Sequence, residues 1–201
     1  MSEGNAHEVG DGSLTRPGDP GQRRDDQDPR DDLVEQDATA HGLRRAMANF
    51  ATGVTIVTCH VDGVHYAMTC NSFTSISLDP PLVMVSASQK GRFHEHFLAS
   101  DTWAVSVLAK GQGDVARHFA NSARDRRRQF ETVPHRVSEH SGAPLIEGAL
   151  AWLDCRTVQV VPAGDHTIVL GAVLGAEVLG AGVTAPLTYF RGGFVDVPDT
   201  M

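Results

Sequence analysis

Runs of β-branched and alternating apolar residues occupy most of the chain from residue 54 onward and predict a protein built mainly from strands. Turn-forming residues separate several of these runs. Asp62-Gly63 is a signal for a two-residue hairpin turn, and Pro162–Asp165 is a second hairpin signal. The predicted strands are Val54–Val61, Val64–Cys70, Leu82–Ser88, Trp103–Leu108, Gly148–Val161, His166–Leu179 and Thr188–Val195.

Short segments around these strands have apolar residues at helical spacing. In the first, Leu43, Met47 and Phe50 give one apolar stripe. Asn71–Pro81 is rich in Ser and Thr and predicts a loop, whereas Arg124–Phe130 is basic and predicts an exposed segment. The alternative for its arginines, Arg124, Arg126, Arg127 and Arg128, is contact with a nucleotide phosphate. Strands joined by tight turns, with short helices between them, predict a mainly β protein, an antiparallel barrel with helices at its edge. The predicted helices are His41–Phe50, Gly91–Ser100 and Gln112–Asn121.

The charge of the chain is concentrated at its start. Residues 1–40 carry 11 acidic and 4 basic side chains, so they hold seven of the eight net negative charges. Pro, Gly, Asp and Arg dominate residues 1–38, which predicts a disordered acidic tail before a folded domain over residues 39–201. The folded part is nearly neutral, and we therefore expect no attraction to nucleic acid.

The cysteines and the hydropathy pattern predict a cytoplasmic protein. Cys59, Cys70 and Cys155 are an odd number without CxxC spacing, each in an apolar strand context. Buried, reduced thiols are the favoured interpretation over disulfide or metal chemistry. No apolar run approaches the roughly 20 residues that span a bilayer, and no secretory signal is recognisable, so we expect no membrane association.

The segment Met68–Ser75 carries the most informative polar residues. It follows a strand and offers hydroxyls, an amide side chain and backbone N–H groups, which suit the edge of a planar heterocycle. An ordinary polar loop, in which Ser and Thr bond to their own backbone, explains the same composition.

Two further segments are candidates for binding. Ser88, Lys90 and Arg92 cluster around a predicted helix N-terminus, where N–H groups and the helix dipole favour a phosphate; a helix cap with two solvated cations is the alternative. In Gly164–Ile168, His166 follows a turn and is placed to contact a ring or carboxamide, unless it is an ordinary surface histidine.

Several familiar motifs are missing from the sequence. It contains neither the GxGxxG nor the GxxxxGK[ST] phosphate fingerprint, so a nucleotide is held in another way. The GxSxG elbow of acyl-transfer enzymes is also missing. His94 and His96 lie two apart, on different sides of a predicted helix, and we expect no metal site there.

Taken in order, these segments resemble the short-chain flavin reductases, which are the reductase components of two-component flavin-dependent monooxygenases. The resemblance covers roughly residues 41–197, and its most specific parts are the loop through Pro81-Leu82-Val83 and the Gly164-Asp165-His166 turn. Cys70, where the family has a small residue, and Gln89-Lys90-Gly91 depart from the family pattern. The matching segments are Phe50–Thr58, Met68–Val83, Phe119-Ala120, Gly164–Ile168 with Gly171 and Val173, and Pro186–Phe194.

The resemblance implies an FMN-binding split barrel that forms a homodimer, with flavin sites near the subunit interface. His166 is the implied catalytic residue, flanking the face where nicotinamide arrives, while Tyr189 and Arg191 lie near the dimer contact. Ser86, Ser88 and Lys90 face the phosphate side of the flavin. The full set of implied cofactor-binding residues is Thr69, Cys70, Asn71, Ser72, Phe73, Ser86, Ser88, Lys90, Phe119 and Arg191.

The implied reaction is hydride transfer from NADH or NADPH to FMN or FAD, after which the reduced flavin diffuses to a partner oxygenase. Because both rings carry the electronic chemistry, the protein needs to supply mainly stacking geometry and hydrogen bonds, which agrees with the lack of a strong acid–base pair. Two alternatives stay open: a flavin-binding barrel without turnover, and an oxidoreductase whose tightly held flavin acts directly on an organic substrate.

Overall fold

The computed structural model describes residues 39–179 and 185–197, so the predicted tail over residues 1–38 lies outside the described residues. The helices are α1 (Ala40–Met47), α2 (His94–Ala99) and α3 (Gly113–Ala120). The strands are β1 (Thr52–Gly53), β2 (Thr55–Val61), β3 (Val64–Cys70), β4 (Phe73–Leu78), β5 (Pro81–Ser88), β6 (Thr102–Val107), β7 (His135–Val137), β8 (Pro144–Ile146), β9 (Ala151–Ala163), β10 (His166–Val178), β11 (Leu187–Phe190) and β12 (Gly193–Asp196). The chain divides into two units between Leu43 and Arg44, and these strands lie in the second.

The main sheet has seven antiparallel strands in the order β3-β2-β6-β9-β10-β5-β4. Strands from both halves of this order contribute to one buried cluster, in which Cys70 of β3 joins Val85 of β5 and Trp103 of β6. The sheet therefore wraps around its core without closing, because β3 and β4, consecutive in the chain, are its two edges. The predicted antiparallel barrel with helices at its edge is confirmed in this open form.

The core of the barrel is tightly packed around Trp103. Its ring is fully buried, meets Phe97 edge-on at 5.4 Å between centroids, and donates from Nε1 to Thr157 Oγ1 at 3.2 Å. The prediction of buried thiols is also confirmed, since all three cysteines are buried and unpaired. Burial raises the pKa of the Cys59 and Cys155 thiols to about 12, so both are held in the protonated form.

The structure corrects three of the predicted elements. The expected loop Asn71–Pro81 contains strand β4, because backbone pairing with β5 outweighs the low strand propensity of its serines. The expected strand Thr188–Val195 is a hairpin, β11 and β12, whose turn places Arg191 at φ 50° and Gly192 at φ 84°. The expected helix His41–Phe50 ends at Met47, and two residues of its apolar stripe are exposed, Met47 by 52% and Phe50 by 63%.

No helix within residues 39–179 and 185–197 combines the length and the apolar character needed to cross a membrane.

Candidate functional site

A cavity of about 180 Å³ lies between strand β3, the end of β5, the start of α2 and the end of α3, and we call it the β3–α3 cavity. Thr69 of β3, Ser88 of β5 and Phe119 of α3 line it, and all three are among the cofactor-binding residues that the family resemblance implies. The remaining lining residues are Tyr66, Ala67, Met68, Ala87, Gly91, Arg92, Phe93, His94, Ala120, Ser122, Arg124, Arg126 and Gln129.

The lining of this cavity combines cationic and apolar side chains. Arg92, Arg124 and Arg126 contribute guanidinium groups, and the lining includes neither Asp nor Glu. The aromatic rings of Phe93 and Phe119 supply apolar walls. Such a combination suits an organic anion with a flat or aliphatic body, for example a nucleotide phosphate.

Arg124 fixes the wall of the cavity. Its Nη1 donates to Phe119 O at 2.7 Å, its Nε donates to the Gln129 side chain at 2.9 Å, and its Nη2 donates to Ala67 O. Gln129 is 99% buried and donates in turn to His65 O at 2.8 Å. Burial, together with the nearby charge of Arg126, lowers the pKa of Arg124. The prediction that this basic segment is exposed is therefore wrong for Arg124 and Gln129, which pin it to β3.

Two more side chains hold the surrounding elements in place. Thr69 Oγ1 donates to Ala116 O at 2.6 Å and so anchors α3 to β3. His94 Nε2 lies 2.8 Å from Thr167 Oγ1, which ties the start of α2 to β10. Sequence reasoning considered His94 only as a metal ligand and missed this role, since the partner residue is 73 positions away. Among the described residues, no cluster of His, Cys, Asp and Glu is arranged to hold a metal.

The turn that carries His166 lies beside the end of β5. His166 is the sheet partner of Ser88, and Gln89 Nε2 donates to His166 O at 3.0 Å. The His166 side chain is 42% exposed, and its Nδ1 lies 2.7 Å from Asp165 Oδ1, a hydrogen bond that lowers the pKa of Asp165. Lys90 is exposed and does not line the cavity, whereas Arg92, two residues later, does.

A second pocket, of about 420 Å³, lies at the crossing from β3 to β4, and we call it the Asn71 pocket. Asn71, Ser72 and Phe73 line it, together with Phe50 and Thr52 of the segment around β1. The other lining residues are Ala51, Gly53, Thr55, Thr74, Met84 and Val107. The run from Thr69 to Phe73 therefore contributes residues to both pockets, Thr69 to the β3–α3 cavity and Asn71, Ser72 and Phe73 to the Asn71 pocket.

Hydrogen bonds set the geometry of the Asn71 pocket. Ser72 Oγ donates to Ser86 O at 2.8 Å and lies 3.2 Å from Cys70 Sγ, so Cys70 and Ser86 support the crossing from behind. Burial raises the pKa of the Cys70 thiol. Thr52 Oγ1 is buried and has no hydrogen-bond partner among the described residues. A buried hydroxyl without a partner is costly, which favours a ligand or a second chain that supplies one.

Arg191 lies apart from both pockets, in the turn between β11 and β12. Its backbone N–H donates to Ala48 O at 2.9 Å, and its Nε donates to Asn49 Oδ1 at 3.0 Å. The neighbouring Tyr189 and Gly192 line a pocket of about 360 Å³ that shares Asn71 with the Asn71 pocket. The structure thus places Arg191 next to the site but not in its lining.

A histidine cluster behind the β3–α3 cavity predicts a pH-dependent stability. Burial first, and then the charges of His60 and His135, hold the pKa of His65 below its usual value of 6.5. The folded state therefore binds fewer protons than the unfolded state near that pH, so stability is full above about pH 6.5 and falls as the pH drops through that value. We expect the midpoint of urea unfolding to fall on acidification, and to fall less in His65→Gln than in the wild type. The same dependence of the midpoint on pH in both proteins would contradict this assignment to His65.

Comparison with known proteins finds one matching family and several similar relatives. Residues 47–198 match the family described as "Flavin reductase like domain". A relative from Streptomyces globisporus, named NADH-dependent FAD reductase, is 48% identical over 136 residues, which are 67% of this chain and 74% of that protein.

Solved structures are similar over most of the chain. The Streptomyces globisporus C-1027 NADH:FAD oxidoreductase SgcE6, in complex with NAD and FAD fragments, has a TM-score of 0.73 and 41% identity, with 87% of this chain and 98% of that chain covered. BorF, the flavin reductase component of a bacterial two-component tryptophan halogenase, has a TM-score of 0.74 and 41% identity, with 81% and 100% covered.

Proposed function

The chain belongs to the flavin reductase-like family, and on that premise we propose that it is an NADH-dependent flavin reductase that supplies reduced flavin to a partner oxygenase. The observation that carries the proposal is the run Thr69–Phe73, which contributes residues both to a cationic cavity and to a pocket lined by hydrogen-bonding groups and aromatic rings. A flavin nucleotide has the same two parts, an anionic phosphate chain and a flat ring with a polar edge.

The residues present fit a flavin. Phe50 and Phe73 offer apolar surface for a ring, and Asn71 offers an amide with both a donor and an acceptor. Thr52, whose buried hydroxyl has no hydrogen-bond partner among the described residues, belongs to the same lining. FAD and FMN both carry the needed groups, and the name of the Streptomyces relative favours FAD.

In the proposed mechanism the protein binds and orients the flavin and the nicotinamide. Flavin and nicotinamide together supply the hydride chemistry. Backbone N–H groups at Asn71–Phe73 would stabilise negative charge on the pyrimidine edge of the ring, as an oxyanion hole does. Ser88 and Arg92 would hold the phosphate, since both line the β3–α3 cavity and Lys90 does not. The Ser72–Ser86 bonds keep the crossing rigid, so little reorganisation is needed when the ring arrives.

His166 is proposed to orient the nicotinamide. It lies on the turn beside Ser88, at the same end of the sheet as the β3–α3 cavity, and half of its side chain is accessible. We expect His166→Ala to raise the KM for NADH several-fold while the affinity for flavin is largely kept, because the ring positions the second substrate only. Steady-state kinetics measure both constants, with His140→Ala as a control, since His140 is exposed and lines neither the β3–α3 cavity nor the Asn71 pocket. Unchanged kinetics would remove His166 from the site.

We also propose a homodimer whose interface covers Met47 and Phe50. Both side chains are more than half exposed, and both line the 360 Å³ pocket next to Asn71. Apolar side chains that flank a binding site are covered at low cost by a second copy. We expect Phe50→Glu to yield a monomer with weakened flavin binding, measured by sedimentation and fluorescence titration. Leu98→Glu, another exposed apolar position, is the control, and a Phe50→Glu dimer would contradict the proposal.

We also propose a cytoplasmic location and a flavin-dependent oxygenase as the partner. The three unpaired, buried thiols and the use of NADH are consistent with a cytoplasmic location. BorF is the flavin reductase component of a two-component halogenase, which supports a flavin-dependent oxygenase as the partner of this chain.

A flavin-exchange experiment tests the proposed function against its alternatives. The purified protein is incubated with FAD, passed through a desalting column, and assayed for NADH oxidation with and without added FAD. A diffusible-flavin reductase turns over only when FAD is added back. Stoichiometric flavin that stays bound would favour direct action on an organic substrate, and bound flavin without NADH oxidation would favour a binding protein.

A further inference from the structure

Three side chains from separate elements form an assembly at one wall of the β3–α3 cavity. Tyr66 of β3 and His96 of α2 stack with ring centroids 3.7 Å apart and an interplanar angle of 13°. Arg126, in the segment after α3, places its Nη1 3.3 Å from His96 Nε2. Because a guanidinium only donates, Nε2 accepts, and His96 acts as a neutral acceptor that holds Arg126.

Arg126 differs from the other arginines of this segment in what it contacts. Arg124 donates to backbone carbonyls and a buried amide, and Arg128 forms an ion pair with Glu131 at 2.9 Å. Arg126 lines the cavity, and its described hydrogen bond is to His96, which carries no negative charge. Its charge is therefore held at the wall without being neutralised by a carboxylate of the lining.

The positive charges around the cavity also repel one another. Arg126 is close enough to Arg124 for its charge to help lower the pKa of Arg124. Arg92 lies in the same lining. An anion in the cavity would relieve this repulsion, and a phosphate accepts charge-assisted hydrogen bonds from more than one guanidinium at once.

We propose that Arg126 is a specificity-determining residue that binds the phosphate of the flavin in the β3–α3 cavity, and that His96, stacked on Tyr66, is its positioning residue. The inference rests on the proposed function, since it takes the occupant to be a flavin. It predicts selection of FMN and FAD over riboflavin, which has the same ring but no phosphate.

The test compares flavins in matched variants. Arg126→Gln removes the charge, and Arg127→Gln removes an equal charge from the next residue, which is exposed and outside the lining. We expect Arg126→Gln to weaken the binding of FMN and FAD about 10-fold, as for the loss of one charge-assisted hydrogen bond. The affinity for riboflavin should be unchanged. Arg127→Gln should leave all three affinities unchanged. Fluorescence titration with oxidised flavin gives each Kd.

A double-mutant cycle tests the positioning role of His96. His96→Phe keeps a ring on Tyr66 but removes the hydrogen-bond acceptor, so it should weaken the binding of FMN and FAD several-fold. His96→Gln restores an acceptor and should recover part of the lost affinity. The double variant His96→Phe/Arg126→Gln should bind like Arg126→Gln alone, because His96 acts through Arg126. Additive losses would overturn the positioning role.

Other outcomes overturn the specificity role. If Arg126→Gln lost as much affinity for riboflavin as for FMN and FAD, Arg126 would be a structural residue. Unchanged flavin affinities with a raised KM for NADH would assign the phosphate to the nicotinamide nucleotide. Both results leave the wild-type reductase active, so they are distinguishable from failure of the proposed function, in which the wild type itself binds no flavin.

Discussion

Replacing Gly171 with alanine is expected to destabilise the protein by about 3 kcal/mol, the upper part of the usual range for overpacking a core. A Cβ at this position in β10 would lie 2.4 Å from Trp103 Cζ2 and 3.1 Å from Cys155 Cβ. Trp103 cannot withdraw, because its ring is fully buried and its Nε1 is bonded to Thr157. The backbone of two paired strands, β9 and β10, would have to separate instead.

Chemical denaturation measures this change, and a loss of this size should also lower the Tm by about 10 °C. Gly193→Ala is the matched control, since an added Cβ there meets nothing within 4 Å. A Gly171→Ala protein as stable as Gly193→Ala would show that the contact between β10 and Trp103 is looser than described.

Replacing Asn71 with leucine is expected to lower kcat/KM for flavin about 100-fold, roughly 2.7 kcal/mol, with little change in stability. Asn71 is exposed at the crossing from β3 to β4, and no hydrogen bond joins its side chain to the other described residues. The fold therefore loses nothing when the amide is removed. The flavin loses the donor and acceptor that would pair with its polar edge, which a site built for hydrogen bonding tolerates poorly.

The control is Ser75→Val, which changes an exposed polar residue of β4 that lies outside the lining of the Asn71 pocket. Its kinetics should match those of the wild type. If Asn71→Leu also retains its kcat/KM, the ring is not held at this crossing.

Much of the fold follows from local sequence patterns. Dense β-branched runs correctly predicted β2, β3 and β5, and Asp62-Gly63 correctly predicted a turn, with φ values of 52° and 75°. The prediction failed where tertiary pairing decides the structure. Strand β4 is rich in Ser and Thr, and only the edge of β5 makes it a strand.

The part of the candidate site formed by residues adjacent in sequence was predictable, whereas the contacts between separate elements were not. The run Thr69–Phe73 stood out because its polar groups follow a strand. The structural roles of Arg124, His96 and Thr52 did not stand out, because they depend on other elements of the fold. Arg124 donates to Ala67 O, His96 stacks on Tyr66, and the hydroxyl of Thr52 is buried without a partner among the described residues. The sequence pattern grouped Lys90 with Arg92, and the family resemblance named Lys90 alone, because neither shows which of the two cations lines a cavity.

Anaerobic mixing of the protein with NADH and FAD, followed by the absorbance of both, tests the central claim most directly. The account predicts that NADH is oxidised only when FAD is present, and that each protein molecule reduces many equivalents of added flavin. NADH that stays unoxidised in the presence of FAD, with a folded protein, would contradict it.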